Sequence, residues 1–104
     1  MENFEQFEKW FEKYDAYDYK PEIKFEDLTD KLHPCKQVGA IMFLASKLKE
    51  KNERFFLHGE HDTLYVGSSF DVFEDFTEDE VKKAVAYDIS VSDDGDGFQM
   101  YASM

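Results

Sequence analysis

His33, Pro34 and Cys35 set a thiol two residues from an imidazole, at what the surrounding pattern reads as the first turn of a helix. A helix N-terminus favours thiolate over thiol, so Cys35 is a candidate nucleophile with His33 as its base. The rigid Pro34 between them tends to turn the two side chains apart, however. A lone Cys beside an apolar helix is more often a small packing residue.

His58 and His61 suggest a second chemistry, metal ligation. Zinc needs three or four ligands, and two His on one helix face would be four apart. Here they are three apart across an expected turn, with only Cys35, His33 or Asp62 to complete a set. Asp93 to Gly97 (Asp-Asp-Gly-Asp-Gly) looks like a calcium loop, but the twelfth position, where an EF-hand needs Glu, is Met104. A turn explains those residues without a cation. Phosphate-binding glycine loops, C-x-x-C pairs and Ser/His/Asp signatures are absent from the sequence, which has only five Gly. The expectation is a non-enzyme with no cofactor and no metal.

The acidic residues carry the larger anomaly. Asp71, Glu74, Asp75, Glu78 and Asp79 follow i, i+3, i+4, i+7, i+8 with no base among them. A wholly helical stretch would put all five on one face. If Thr77 instead starts a helix, they form an acidic loop running into its N-terminus. Like charges four apart cost helix stability, and interspersed lysines keep a protein soluble at less cost. The cluster therefore reads as a candidate binding surface, with a solvated, solubilising face as the plainer alternative.

The elements that must position these groups follow from periodicity. Phe4, Phe7, Phe11 and Tyr14 make one face of an amphipathic helix, which Trp10 and Tyr17 widen, and Pro21 closes the segment after it. Phe25 to Leu32 suits a short helical turn. A second helix is expected from Pro34 to about Lys51, with Val38, Ile41, Met42, Ala45 and Leu48 as its core stripe, Leu44 extending it and Phe43 nearly opposite. Lys47, Lys49 and Lys51 collect at its C-terminal end, where the helix dipole favours cations. Arg54–His58 and Thr63–Val66 read as a hairpin around a four-residue loop, Gly59 to Asp62. Thr77 with Glu80 makes a capping box for a third helix whose buried side is Val81, Ala84 and Val85. Ile89 and Val91, then Phe98, Met100 and Ala102, alternate with polar residues as a second hairpin across Asp93–Gly97. The order α-α-β-β-α-β-β predicts an α+β fold: an antiparallel four-stranded sheet from two hairpins, packed with about three helices.

At 104 residues the chain has the length of one domain, residues 1–104, and 42% apolar content with 17% aromatics is ample for a core. The net charge is −12, so direct binding to nucleic acid is not expected. The charge is uneven: residues 31–54 carry six bases and two acids, residues 55–104 twelve acids and two lysines. The longest apolar run, Val38 to Ala45, is too short for a membrane span. The opening Met-Glu-Asn-Phe-Glu does not read as a secretory signal, and a single Cys points to the cytoplasm.

In size, single-domain build, acidity and lack of catalytic motifs, the chain resembles the small acidic inhibitors of phages and mobile elements, anti-CRISPR and anti-restriction proteins, some of them DNA mimics. That resemblance implies occlusion of a basic, nucleic-acid-binding surface on a partner protein, in the host cytoplasm if the chain is phage-encoded. Asp71, Glu74, Asp75, Glu78 and Asp79 would stand in for phosphates, with Tyr17 and Tyr19 as aromatic anchors. The alternative is a non-catalytic regulatory or structural interaction domain, homodimeric or not, whose acidity only solubilises. Trp10, Tyr17, Tyr19 and Phe43, which exceed the expected core stripes, favour it.

Overall fold

The computed structural model describes residues 2–14, 24–50, 57–60, 62–67, 69–92 and 97–101. Its elements are α1 (Phe4–Tyr14), α2 (Lys36–Ser46), β1 (Leu57–Glu60), β2 (Thr63–Val66), α3 (Glu78–Ala86), β3 (Ser90–Val91) and β4 (Phe98–Tyr101), with 3-10 turns at Phe25–Asp27 and Phe70–Val72. The four strands form one antiparallel sheet in the order β1-β2-β4-β3, so the α+β architecture and the element order are as expected.

Aromatic rings hold the core together. Phe98 on β4 meets Phe7 of α1 edge to face at 5.8 Å, and Phe70 and Phe73 edge to face at 5.1 Å each. Phe76 lies 5.6 Å from Phe98 on one side and 6.0 Å from Phe43 of α2 on the other, so it links the sheet to that helix. Each such ring pair adds about 0.5–1.5 kcal/mol beyond the area it buries. Phe7, Phe11 and Tyr14 are all buried, as the α1 stripe requires, and Trp10 packs partly buried against them.

Helix α2 departs from expectation in two ways. Its inward face is Gly39, Ala40, Phe43 and Leu44, and the stripe of Val38 and Met42 is turned to the outside. Small residues decide this. A Cβ on Gly39 would stand 2.8 Å from the Tyr87 ring, so only glycine lets the helix backbone come so close to that buried side chain. Phe43, expected opposite the core and surplus to it, is buried and stacks on Tyr87 at 5.8 Å.

The helix also ends at Ser46 rather than near Lys51. Lys47 and Leu48 donate to Leu44 and Ala45 in tightened turns, and the chain then pairs with the acidic stretch: Lys49 N–H to Val72 O at 3.0 Å and Glu74 N–H to Lys47 O at 2.7 Å. Leu48, expected on the helix stripe, instead bridges Phe73. Pro34 likewise precedes the helix, because Cys35 is its N-cap.

The first hairpin turns in two residues, not four. Glu60 pairs with Thr63, and Asp62 takes a left-handed φ of 61° that suits a two-residue turn. Gly59 and Glu60 are therefore strand. Residues 54–56 of the expected strand lie outside the described residues, as do 93–96 of the second turn and Ala102. Gln99, one of the polar residues that alternate with Phe98 and Met100, is buried on the interior strand β4.

Candidate functional site

The acidic stretch is built on three phenylalanines. Phe70, Phe73 and Phe76 recur every third residue and all three are buried in the core. Locking these rings leaves the residues between them at the surface, where Asp71, Glu74 and Asp75 are exposed. Ser69 Oγ accepts from Asp71 N–H at 3.1 Å and starts the 3-10 turn. An extended segment follows, and α3 begins at Glu78 with its capping box formed: Thr77 Oγ1 accepts from Glu80 N–H at 3.2 Å, and Glu80 Oε1 accepts from Thr77 N–H at 2.9 Å. Of the two readings, the acidic loop leading into a helix N-terminus is the one observed, and the five carboxylates do not share a helix face.

The tertiary structure also supplies what the local sequence lacks, bases and donors. Asp75 Oδ1 accepts from Glu2 N–H at 2.7 Å and Asn3 N–H at 3.1 Å, while Asn3 Nδ2 donates to Phe76 O at 2.9 Å. Asp75 thus fixes the start of α1 and sits where the helix dipole favours an anion. Lys47 Nζ donates to Asp75 O at 2.8 Å and to both carboxylate oxygens of Glu80. Burial pushes the Glu80 carboxyl up, but the Thr77 N–H, the Lys47 ammonium and the Thr77 hydroxyl together outweigh it and hold its pKa below the ordinary value. Lys13 on α1 feels the charge of Glu78. Its own pKa is raised, first by its hydrogen bond to Tyr14 and to a lesser degree by Glu78.

The patch is therefore not five equivalent charges. Asp71, Glu74 and Asp79 are exposed on the stretch, Glu78 is half-buried within reach of Lys13, and Asp75 is a structural acceptor. The fold adds Glu2, exposed and hydrogen-bonded through its backbone to Asp75, a residue no local pattern connects to this region. The spacing of Phe70, Phe73 and Phe76 was the sequence signal for how the stretch is held. Tyr17 and Tyr19, expected as anchors, lie outside the described residues.

The other candidates are less coherent. Cys35 is exposed, and its Sγ lies 3.5 Å from Gln37 Oε1. His33 Nδ1 accepts from the Cys35 backbone N–H at 2.9 Å, so that imidazole nitrogen is engaged with the main chain and not with the thiol. His58 stacks on its cross-strand neighbour Tyr65 at 6.3 Å, and His61 lies outside the described residues. Among the described residues, no three His, Cys, Asp or Glu side chains come together in a way that could hold a metal ion. Among the same residues, no helix is long and apolar enough to cross a membrane.

No family model, no curated protein and no solved structure matches the chain.

Proposed function

We propose that the protein is a small, non-catalytic, acidic inhibitor that occludes a basic, nucleic-acid-binding surface of a partner protein, in the manner of phage counter-defence proteins acting in the host cytoplasm. One observation carries the reading: an acidic run, Asp71 to Asp79, is mounted on three buried phenylalanine anchors and a capped helix. A charged surface held this firmly loses little entropy on docking, and its field speeds encounter with a cationic partner. Asp71, Glu74, Glu78 and Asp79 meet the partner, and Asp75 keeps the start of α1 in place.

The test uses purified CRISPR effector complexes and restriction endonucleases, with loss of DNA cleavage as the readout. A variant carrying D71N, E74Q, E78Q and D79N, with Asp75 and Glu80 intact, removes four charges at little cost in shape. Inhibition by the parent, together with slower association and a flatter salt dependence for the variant, supports the reading. A variant that binds as fast and as tightly as the parent at low salt overturns it, and the acidity is then solubilising only.

A second reading, a non-catalytic regulatory or structural interaction domain whose acidity only solubilises, is favoured by a separate feature, the exposed Val38 and Met42 on the outer side of α2.

A further inference from the structure

Alternation along the strands divides the sheet into two faces. On β4, Phe98 and Met100 belong to the core, where Phe98 meets the rings of Phe7, Phe70, Phe73 and Phe76. Gln99 between them therefore points to the opposite face. The register sets one row of side chains across that face: His58 on β1 pairs with Tyr65 on β2, Tyr65 with Gln99, and Gln99 with Ser90 on β3. None of the four is an acid.

Gln99 is the anomaly in this row. It is only 6% exposed, yet its side-chain amide makes no hydrogen bond among the described residues. Its neighbour Ser90 bonds the main chain instead, with Oγ donating to Gln99 O at 3.5 Å. A buried amide left unpaired is costly, and native structures seldom keep one without a reason. The amide is not sealed off, however. Among the described residues, Asn3 Oδ1 is the one unpartnered side-chain atom shut away from solvent, so the Gln99 amide keeps an opening.

The chemistry of the amide narrows what can enter. It offers an N–H donor and a C=O acceptor side by side, and a group that answers both must hold its own pair side by side. A trans peptide bond points its N–H and C=O in opposite directions. A carboxylate has two acceptors and no donor, and a net charge of −12 repels it. A heterocyclic base meets the requirement, as adenine does with its N6 amine next to N7. Tyr65, paired with Gln99 across the strands, adds an aromatic contact for such a ring. Phosphates on the base would meet the same repulsion as a carboxylate.

We infer that the outer face of the sheet carries a site for an uncharged heterocyclic base of the adenine type, held by paired hydrogen bonds from the Gln99 side chain and by contact with Tyr65. His58 backs Tyr65 from the β1 side, its ring stacked at 6.3 Å. The inference does not rest on the inhibitor reading, because the acidic stretch belongs to other elements.

Titration of adenosine into the isotope-labelled full chain, followed by NMR, tests this directly. Adenosine should shift the side-chain amide signals of Gln99 and the backbone signals of Tyr65 and Ser90, with Kd of about 1 mM or tighter. An adenine oligonucleotide, the same base carried on phosphates, should bind at least tenfold more weakly at low salt. Gln99→Met keeps the side chain's length and removes both hydrogen bonds, so it should weaken adenosine at least tenfold. Its melting temperature should stay at or above the parent's, because the free protein loses no bond. No shift with adenosine, shifts confined to other parts of the chain, or an oligonucleotide that binds as tightly as the nucleoside each overturns the inference. So does a Gln99→Met variant that binds as tightly as the parent. A variant that melts well below the parent, or does not fold, also overturns it, since the amide is then already paired in the free protein.

Discussion

Lys47 Nζ donates to Glu80 Oε2 at 2.9 Å and to Glu80 Oε1 at 3.1 Å, joining the residue just past the end of α2 to the capping box of α3. Lys47 is nine-tenths buried, and its ammonium also lies 5.1 Å from the centre of the Phe76 ring. With its bond to Asp75 O, this one side chain ties two helix ends to the acidic stretch.

Removing the lysine leaves a carbonyl and a carboxylate without their donor. Glu80 keeps its Thr77 partners and some solvent, so Lys47→Met should cost about 2 kcal/mol rather than the larger penalty of a fully buried pair. Urea denaturation measures this. The exposed-acid pairs Lys36–Asp88 and Lys83–Asp30 should matter far less, with Asp88→Asn and Asp30→Asn each within about 0.5 kcal/mol. Equal losses in all three variants would show that Lys47 is not a special tie.

The same pair makes a pH prediction. The Glu80 pKa is lowered in the folded state from an ordinary value of 4.5, so below that value the unfolded chain binds the proton more readily than the folded one. The stability contributed by Glu80 is therefore fully present above about pH 4.5 and is lost as pH falls through the lowered value. Glu80→Gln should flatten the fall in Tm between about pH 5 and pH 3 relative to the parent. Parallel Tm curves for the two proteins would show that Glu80 does not contribute to acid unfolding.

Asp75 and its neighbour Glu74 separate structural from surface acidity. Asp75→Ala removes the acceptor for Glu2 and Asn3 N–H groups and should cost about 1 kcal/mol, in the range of a lost helix cap. The exposed Glu74→Ala should stay within about 0.5 kcal/mol. Chemical denaturation of the two variants side by side checks the contrast, and equal effects would place Asp75 with the surface charges.

Two glycines differ sharply in what surrounds them. A Cβ on Gly97 would run into the backbone carbonyl of Gly67, where β2 and β4 begin to pair, whereas a Cβ on Gly59 would meet nothing. Gly97→Ala should destabilise by at least about 2 kcal/mol, because backbone cannot move aside as a side chain can. Gly59→Ala should be neutral or slightly stabilising. Thermal melts of both variants test the pair, and a harmless Gly97→Ala would contradict the packing described.

Cys35 offers a direct check on exposure. Its thiol should react with Ellman's reagent in the native protein at one equivalent, and Cys35→Ser should leave stability within about 0.5 kcal/mol. A folded Cys35→Ser variant without biological activity would restore the nucleophile reading.

Local physics made much of this protein legible from its residues. Phe4, Phe7, Phe11 and Tyr14 repeat at the helical period and are the buried side of α1, or pack against it. Thr77 and Glu80 start α3 because a capping box needs only residues three apart. The alternating runs at 63–66 and 98–101 are strands of one antiparallel sheet, a pattern set by the two-residue period of the pleat.

Tertiary structure decided what had no local period or no local partner. A helix apolar all round has no preferred side, so the inward face of α2 was chosen by the fit of Gly39 against Tyr87, residues 48 apart in the chain. The end of α2 was set by pairing of residues 47–49 with 72–74 rather than by any stop signal of its own. Asp75 reads as one more surface acid until the start of α1, 73 residues away, places two N–H groups against it. Lys47 reads as a dipole-compensating surface charge until Glu80, 33 residues on, meets it under cover of the core. Period and capping depend on neighbours in sequence. Facing, termination and ion pairing are settled by which surfaces the folded chain brings together.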